Sequence, residues 1–305
     1  MRRLVTVAFA ALAGVCLLLI FSPGARSVFL RLLLPLPGQA GPAPGPALAA
    51  SSAPPTPMRV AIAAMISPAQ TFVHYRRLVE VLGEVMQTPV ELVQRKAYRE
   101  VNQLLAEGEV EVAWICTGAW PELAAKGAAR ILATPQVEGK TTYRSYLVVR
   151  ASSPYRTLAD LRGTRIAYSD PMSLTGCRIP QQMVRELGFS PSEFFAGSFF
   201  TFSHDNSLEA LGLGLADVAG VDSLVYDFIA RKSPDQVRGL RVLAASRELP
   251  NPPVVAGAHV SPARQLSWQK AFLELHQHRE GREVLASLGV DRFVALPPEA
   301  YERIP

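Results

Sequence analysis

The sequence of 305 residues has few cysteines, and after residue 57 it has no continuous run of basic residues. Each of these absences excludes a class of function. Its three cysteines are too few for a disulfide framework, and their spacing matches no zinc-binding pattern. Four of the 31 Lys and Arg residues lie in residues 1–57, which contain no Asp or Glu. The rest of the chain carries 27 basic and 26 acidic residues. Without a basic stripe, we expect no nucleic-acid partner.

The sequence also lacks the short motifs that identify common enzymes and metal sites. It contains no G-x-S-x-G elbow, no H-E-x-x-H motif and no G-x-x-x-x-G-K-[ST] phosphate loop. Ser173, His204 and Asp222 make a hydrolase triad on paper, yet Ser173 lies at a predicted helix start, which suits anion binding better than nucleophilic attack. We therefore expect no catalytic residue, no metal ion and no cofactor.

The N-terminal segment is apolar and is preceded by positive charge. Arg2 and Arg3 come directly before residues 4–21, eighteen residues without a charged side chain. This length exceeds an ordinary signal-peptide core and approaches what spans a bilayer. Because positive residues keep the N-terminus cytoplasmic, the rest of the chain is expected to be exported. We interpret residues 1–22 as a transmembrane anchor or a signal segment and favour the anchor.

A linker rich in Pro, Ala and Gly follows in residues 23–57. Its second part, PGQAGPAPGPALAASSAPPTP, carries no charge and is typical of an extended spacer, not of a packed core. The folded part is therefore expected to begin near Met58. Two of the cysteines lie in it, Cys116 and Cys177, and an oxidising compartment would allow either one disulfide or two free thiols.

From residue 58 onward, short apolar segments alternate with amphipathic ones. The segments MRVAIAAM (58–65) and VEVAWIC (110–116) are typical of buried strands, whereas residues 75–86 place apolar side chains at helical spacing. This alternation predicts a mostly parallel sheet with helices on both faces. A similar succession follows YRSYLVVR (143–150), which predicts two α/β lobes in tandem. Clefts between such lobes bind small molecules near the carboxyl ends of the strands.

The stretch SDPMSLTGCRIP (169–180) places small and hydroxyl-bearing residues where a helix is predicted to begin. A helix N-terminus offers unpaired N–H donors and a partial positive charge, so an oxyanion can be held there without a lysine. Gly176 permits close approach, and the Ser173 and Thr175 hydroxyls are further donors. Ordinary capping of the helix by Ser173 is the alternative. We name Ser173, Leu174, Thr175 and Gly176 the anion seat.

Five stretches, taken in order, carry a family resemblance. They are YREVNQLLAEGEVEVAWICTGAW (98–120), YRSYLVVRASSP (143–154), LADLRGTRIAYSDPMSLTGCRIP (158–180), SHDNSLEALGLGLADVAGVDS (203–223) and PPVV (252–255). The set resembles the periplasmic substrate-binding proteins of the phosphonate, phosphite and phosphate family. The resemblance covers nearly all of residues 58–305. It implies the α/β type II periplasmic binding fold, two Rossmann-like lobes joined by a hinge, with lobe one in 58–142 plus 251–305 and lobe two in 143–250.

The resemblance also implies roles for individual residues. Ser173 and Thr175 match the hydroxyl pair that holds a tetrahedral oxyanion together with backbone N–H groups. His204 matches a histidine that reaches the same oxygens. Tyr98 and Tyr143 match tyrosines that donate hydrogen bonds from the opposite lobe and from the hinge.

Two further residues are candidates for the cleft. Asp222 lies in a motif position next to it, where the carboxyl group either accepts a hydrogen bond from a protonated ligand oxygen or caps the next helix. Ser67, in the loop MISPAQTF (65–72), begins a candidate helix and is a candidate for another N–H seat.

The sequence departs from family members that take aminoalkyl phosphonates. In those proteins acidic side chains meet the ammonium group of the ligand, but Leu224 and Pro252 stand at the corresponding positions here. A buried ammonium without a partner costs several kcal/mol. Leu174 also leaves the seat one hydroxyl short. We therefore expect a smaller oxyanion such as phosphate, phosphite, methylphosphonate or an arsenic oxyanion.

Cys116, at the end of the strand 110–116, suggests a second class of ligand. Some relatives that feed sensor kinases detect arsenite through a cysteine at such a place, and a thiolate is a soft ligand suited to As(III). A small, inert buried thiol is the alternative. Cys177 is expected to face it across a closed cleft, which would permit two-thiol binding or a disulfide.

The expected protein is thus a periplasmic monomer, tethered to the inner membrane by residues 4–21, that binds a small oxyanion in a cleft. The resemblance leaves two membrane partners open. One is the permease of an ABC importer, and the other is a membrane sensor kinase.

Overall fold

The computed structural model describes residues 57–66, 68–302 and 304. The predicted anchor and all of the predicted linker except Pro57 lie outside the described residues, as does Ser67. Within the described ranges, no helix is both long enough and apolar enough to cross a bilayer.

The described residues form thirteen short strands and a set of helices. In chain order, the strands are β1 (Met58–Ile62), β2 (Val90–Gln94), β3 (Val112–Trp114), β4 (Ala129–Gln136), β5 (Thr142–Tyr143), β6 (Ser145–Arg150), β7 (Arg165–Tyr168), β8 (Gly197–Phe200), β9 (Val218–Asp222), β10 (Leu240–Ala245), β11 (Leu249–Pro250), β12 (Val254–Gly257) and β13 (Arg292–Val294). The α-helices are α1 (Pro68–Met86), α2 (Tyr98–Ala106), α3 (Trp120–Ala125), α4 (Ile179–Glu186), α5 (Pro191–Phe194), α6 (His204–Gly212), α7 (Ser223–Lys232), α8 (Pro262–Glu274) and α9 (Arg279–Leu288). A 3₁₀ turn at Thr117–Ala119 and a π-helical turn at Leu174–Arg178 complete the elements that matter for the site.

The first sheet contains six strands in the order β13-β4-β12-β3-β1-β2. Strand β1 pairs in parallel with β2 and β3, because the crossovers through α1 and α2 return the chain in the same direction. Strand β12 lies between β3 and β4 and runs antiparallel to both, and β13 runs antiparallel to β4. Helices α1 and α8 pack against this sheet.

The second sheet contains five strands in the order β10-β6-β9-β7-β8. Strand β7 pairs in parallel with β8 and β9, whereas β6 runs antiparallel to β9 and β10. Every residue of β9, VAGVD, is buried, as expected for a strand with neighbours on both sides. Helix α6 packs against β9.

The prediction of mostly parallel sheets is wrong, because both sheets are mixed. The chain crosses from one sheet to the other twice, and β6 and β12 are the first strands after these crossings. Both run antiparallel to their neighbours in the sheet. Hydrophobic periodicity records burial but not strand direction, so the sequence pattern could not reveal this reversal.

The two connections between the sheets pair with each other. Strand β5 leads out of the first sheet, β11 leads out of the second, and the two form an antiparallel ribbon in which Tyr143 faces Leu249 and Thr142 faces Pro250. All strands of the six-stranded sheet lie before or after this ribbon, and all strands of the five-stranded sheet lie between its halves. We propose that the ribbon is the hinge and that the lobe boundaries lie at residues 142–143 and 250–251.

Candidate functional site

The anion seat follows the carboxyl end of β7 and forms the start of a helix. Its π-helical turn runs directly into α4, so the helical segment begins at Leu174. Ser173 is the N-cap, and its Oγ accepts a hydrogen bond from the backbone N–H of Gly176 at 3.0 Å. The capping role considered for Ser173 is therefore present. The Ser173 and Thr175 side chains are fully buried. The side chain of Leu174 is also fully buried, in the apolar core, so the residue can offer only its backbone to a ligand.

Four polar atoms of the sequence-predicted site are buried and have no hydrogen-bond partner among the described residues. They are the hydroxyl oxygens of Tyr98, Tyr143 and Thr175, and Nε2 of His204. Buried polar atoms nearly always have a partner, so four such atoms in one region indicate a place where a polar ligand supplies the partners.

These atoms belong to different elements that meet at the carboxyl ends of the strands. Tyr98 begins α2 and Tyr143 lies in the ribbon of β5 and β11. The Tyr143 hydroxyl lies beside the hydroxyl groups of Thr117 and Thr175. Burial raises the pKa of Tyr143 well above its usual value, and burial followed by nearby Cys116 does the same to the pKa of Tyr98. Both phenols therefore keep their protons and can donate hydrogen bonds.

His204 lies at the first position of α6 with its ring completely buried. Its Nδ1 accepts a hydrogen bond from the backbone N–H of Asp222 at 3.2 Å. Burial lowers the pKa of His204 to about 4, although Asp205 and the Gly220 carbonyl oppose the shift. The ring is therefore neutral near pH 7, and with Nδ1 as the acceptor the proton resides on Nε2. His204 thus presents an uncharged N–H donor.

Gly176 is required by the contacts around it, because its φ angle is an ordinary one. A Cβ atom at this position would lie 1.9 Å from Ser169 Oγ and 2.7 Å from His204 Cε1. Any side chain would therefore displace one of these two groups. The glycine lets the imidazole and the Ser169 hydroxyl lie directly against the backbone of the anion seat.

Asp222 ends β9 and caps α7. Its Oδ1 accepts hydrogen bonds from the N–H groups of Leu224 at 2.7 Å and Val225 at 3.4 Å, so the predicted capping role is present. Burial raises the pKa of Asp222 to about 7, against the lowering effect of these two bonds. Near neutral pH, part of the population carries a protonated carboxyl group, which can stand next to an anion without repelling it.

Cys116 lies at the seat, but its thiol is inert near neutral pH. The backbone N–H groups of Leu174 and Gly118 point to its sulfur, which is buried. Burial outweighs these N–H groups and raises the pKa of Cys116 to about 11, so the sulfur is a thiol and not a thiolate.

Cys116 and Cys177 are free thiols in this structure, which is one of the two states that the sequence leaves open, but the interpretation that they face each other across the cleft is wrong. Cys177 is buried in the core of the second lobe with Tyr168 and Val149, and its sulfur accepts a hydrogen bond from Gln181 Nε2 at 3.4 Å. The π-helical turn directs this side chain toward the sheet, and the sequence gives no sign of that turn.

Asp170 is a residue of this region that no sequence motif singles out. Its Oδ2 accepts a hydrogen bond from the backbone N–H of Tyr98 at 3.1 Å, and its Oδ1 accepts one from Met172 at 2.7 Å. The carboxylate thus ties the second lobe to the N-terminus of α2, a favourable place for negative charge. The available signal was an Asp-Pro pair directly after a predicted strand, which is equally typical of a simple turn. No motif singles out the buried Ser169 hydroxyl either, which has no partner among the described residues.

A cavity of about 70 Å³ lies next to Asp222. Leu224 and Pro252, the two positions where the sequence lacks an acidic side chain, both line it. Trp114 lines it too, with its Nε1 donating to the Pro252 carbonyl at 2.9 Å.

Comparison with known proteins agrees with these features. The family model of periplasmic substrate-binding proteins of phosphonate ABC transporters matches residues 60–301. The phosphonates-binding periplasmic protein of Escherichia coli (strain K12) is 24% identical over 206 residues, which are 65% of this chain and 60% of that protein.

Two solved structures show the same fold. A binding protein component of an ABC phosphonate transporter from Pseudomonas aeruginosa superposes with a TM-score of 0.75 and 20% identity, over 80% of this chain and 82% of that one. PhnD1 from Prochlorococcus marinus, in complex with methylphosphonate, has a TM-score of 0.74 and 14% identity, over 81% and 95% of the two chains. The predicted type II periplasmic binding fold is confirmed. Since the family model spans most of the chain, this protein belongs to the family of periplasmic substrate-binding proteins of phosphonate ABC transporters.

Proposed function

We propose that the chain captures a small phosphorus oxyanion between its two lobes and delivers it to an ABC importer. The observation that carries this proposal is the group of four buried donors without partners, on Tyr98, Tyr143, Thr175 and His204. Donors of this kind suit the oxygens of phosphate, phosphite or a phosphonate.

The donors are all uncharged, which suits reversible capture. A buried lysine or arginine would need a permanent counter-charge whenever no ligand is bound, because an isolated buried charge is very costly. Neutral hydroxyl and imidazole donors, together with the N–H groups of a helix start, stabilise an anion without that requirement.

The proposed mechanism begins with the ligand at the anion seat. Lobe one then rotates about the ribbon of β5 and β11 and brings the Tyr98 hydroxyl against the ligand. In the closed arrangement, the bonds from Tyr98 N–H to Asp170 and from His204 N–H to the Met65 carbonyl hold the lobes together. Closure is the signal that a membrane partner would read.

We infer that the partner is a permease and the location the periplasm, as the family description implies. The similar protein of E. coli is named a phosphonates-binding periplasmic protein. A monomer tethered through residues 4–21 fits this role. The sensor alternative, with arsenite bound through Cys116, gains no support, because a thiol with a pKa of about 11 is a weak ligand for As(III) near neutral pH.

Isothermal titration calorimetry of the full-length protein with phosphate, phosphite and methylphosphonate tests the proposal. We expect binding of at least one ligand, and loss of that binding in Thr175→Val, which removes the hydroxyl donor with little change in shape. Thr157→Val, at an exposed threonine, is the matched control and should bind normally. Failure of all three oxyanions to bind wild-type protein would refute the proposal.

A further inference from the structure

The cavity beside Asp222 is apolar on nearly all sides. Lobe one contributes Ile66, Trp114 and Pro252 to its wall, and lobe two contributes Leu224, Val225 and Phe228.

Among its described lining residues, only Asp222 and Arg231 carry charge. The Arg231 guanidinium is paired with Glu138 at 2.6 Å. The Asp222 carboxyl is turned toward the N–H groups of α7. Neither group gives the cavity the character of an ion site.

The cavity adjoins the anion seat through Asp222. The backbone N–H of this residue bonds to His204, whose other ring nitrogen is one of the four donors without partners, while its side chain lines the cavity. A ligand at the seat would therefore have polar donors on one side and an apolar space on the other. This arrangement matches a molecule with an oxyanion at one end and a hydrocarbon group at the other.

The volume limits the size of that group. One water molecule needs about 10–15 Å³ of such space. A cavity of about 70 Å³ therefore holds on the order of five water-sized groups, enough for a short alkyl chain or one aromatic ring.

We propose that this cavity receives the substituent on phosphorus, so that the protein selects phosphonates with uncharged alkyl or aryl substituents over phosphate and aminoalkyl phosphonates. The inference rests on the proposed function and revises the expectation that only the smallest oxyanions fit. An ammonium group has three N–H donors to satisfy. In this cavity it would meet the Asp222 carboxyl group, already engaged as a helix cap, the single hydroxyl of Tyr75, the like-charged guanidinium of Arg231 and otherwise apolar side chains.

Calorimetric titration of the full-length protein with methyl-, ethyl-, propyl-, butyl- and phenylphosphonate, 2-aminoethylphosphonate and phosphate tests the inference. Burial of one methylene group is worth about a fourfold gain in affinity. We expect affinity to rise along the alkyl series until the cavity is full, and 2-aminoethylphosphonate to bind more weakly than propylphosphonate. The reverse order of these two ligands would overturn the inference, as would affinity that is flat or falls from methyl to propyl.

A single substitution tests whether the apolar wall of the cavity determines this preference for uncharged substituents. Leu224→Glu places a carboxylate in the cavity, in the first turn of α7, where negative charge favours the helix. We expect the ratio of butylphosphonate to methylphosphonate affinity to fall at least tenfold and 2-aminoethylphosphonate to gain relative to both. Leu266→Glu makes the same change on α8 at a side chain that is 64% exposed, and should leave all ratios unaltered.

The two levels of the proposal fail in different ways. If methylphosphonate binds but phosphonates with longer substituents do not, the proposed anion seat is supported and the proposed role of the cavity is refuted. If no phosphorus oxyanion binds, the proposed function falls as well. Titration of the wild-type protein with the alkylphosphonate series tests the role of the cavity even if Leu224→Glu does not fold.

Discussion

At the scale of single residues, His204 shows how burial turns an ionisable side chain into a neutral donor. Its pKa of about 4 means that the folded protein holds fewer protons on this ring than the unfolded chain does. The stability that this residue contributes is therefore complete above pH 6.5 and is lost as the pH falls toward 4. Ligand binding near neutral pH does not depend on charging the ring.

Two substitutions separate the two ring nitrogens of His204. In His204→Asn the amide oxygen replaces Nδ1 as the acceptor for Asp222 N–H, but the Nε2 donor is lost. A hydrogen bond to a charged group is worth about 1.5–3 kcal/mol, so affinity for methylphosphonate should fall roughly tenfold or more. His204→Gln places an amide near the Nε2 position and should retain more affinity than Asn. Calorimetry measures both, and wild-type affinity in the Asn variant would contradict the assigned donor.

Asp222 predicts how binding responds to pH. Its pKa of about 7 rises further when an anion lies nearby, so binding takes up a proton and affinity for methylphosphonate should fall as pH rises from 6 to 8. Asp222→Asn keeps a good N-cap for α7 but removes the titration. Titrations at pH 6, 7 and 8 should show that the affinity of the variant for methylphosphonate depends less on pH. The dependence that remains comes from titration of the ligand itself. Identical slopes would exclude a role for Asp222.

The same residue makes the stability of the fold depend on pH in the same direction. Because its pKa is raised from 3.8 to about 7, the folded state holds more protons on Asp222 than the unfolded state between these values. Its contribution to the free energy of unfolding therefore decreases as pH rises through this window. Asp222→Asn should lack this decrease in thermal unfolding measured between pH 4 and pH 7.

At the scale of elements, the start of the seat helix shows what the sequence could predict. A cap at Ser173 and close approach at Gly176 follow from residue type, and both are present. The π-helical turn did not follow, because it depends on Ser169 and His204 packing against Gly176 from distant segments. Residue type alone also leaves two candidate caps for α6, Ser203 and Asp205. Its cap is Ser203, which accepts a bond from Asn206 N–H at 3.4 Å, and not the more typical Asp205.

Burial patterns were easier to predict than chain direction or contacts between lobes. Strand β9 and helix α2 follow from local apolar periodicity. The antiparallel entry of β6 and β12 and the bond from Tyr98 to Asp170 join segments far apart in the chain, and a single sequence carries no local signal for them.

Gly176→Ala tests the packing of the seat. The added Cβ would meet Ser169 Oγ at 1.9 Å and push against the imidazole, so we expect loss of oxyanion binding. Overpacking of this kind costs about 1–3 kcal/mol, so the melting temperature should also fall. Gly212→Ala in α6, where no atom lies within 4 Å, is the control and should be neutral or slightly stabilising. Adding Ser169→Gly to Gly176→Ala removes the closest contact and should restore part of the stability.

At the scale of the whole molecule, the contacts that join the lobes involve the same segments as the proposed site. Tyr98 N–H bonds to Asp170 of the second lobe, and His204 N–H bonds to the Met65 carbonyl of the first at 3.0 Å. The 3₁₀ turn at Thr117–Ala119 lies against residues 172–174. A ligand at the seat therefore favours the arrangement in which these contacts form, and binding and closure are thermodynamically coupled.

Gly118→Ala should separate closure from folding. A Cβ atom there would lie 2.3 Å from the Met172 carbonyl oxygen and 2.7 Å from the Leu174 nitrogen, both across the lobe contact, so the first lobe could not reach the anion seat. Because the clash lies between lobes and not within either core, each lobe should fold with nearly wild-type thermal stability. Affinity for methylphosphonate should fall tenfold or more, because Tyr98 no longer reaches the ligand. Small-angle scattering with saturating methylphosphonate should give a larger radius of gyration than for wild type. An equally compact complex with wild-type affinity would mean that closure does not bring this turn onto the seat, and the proposed coupling would then be wrong.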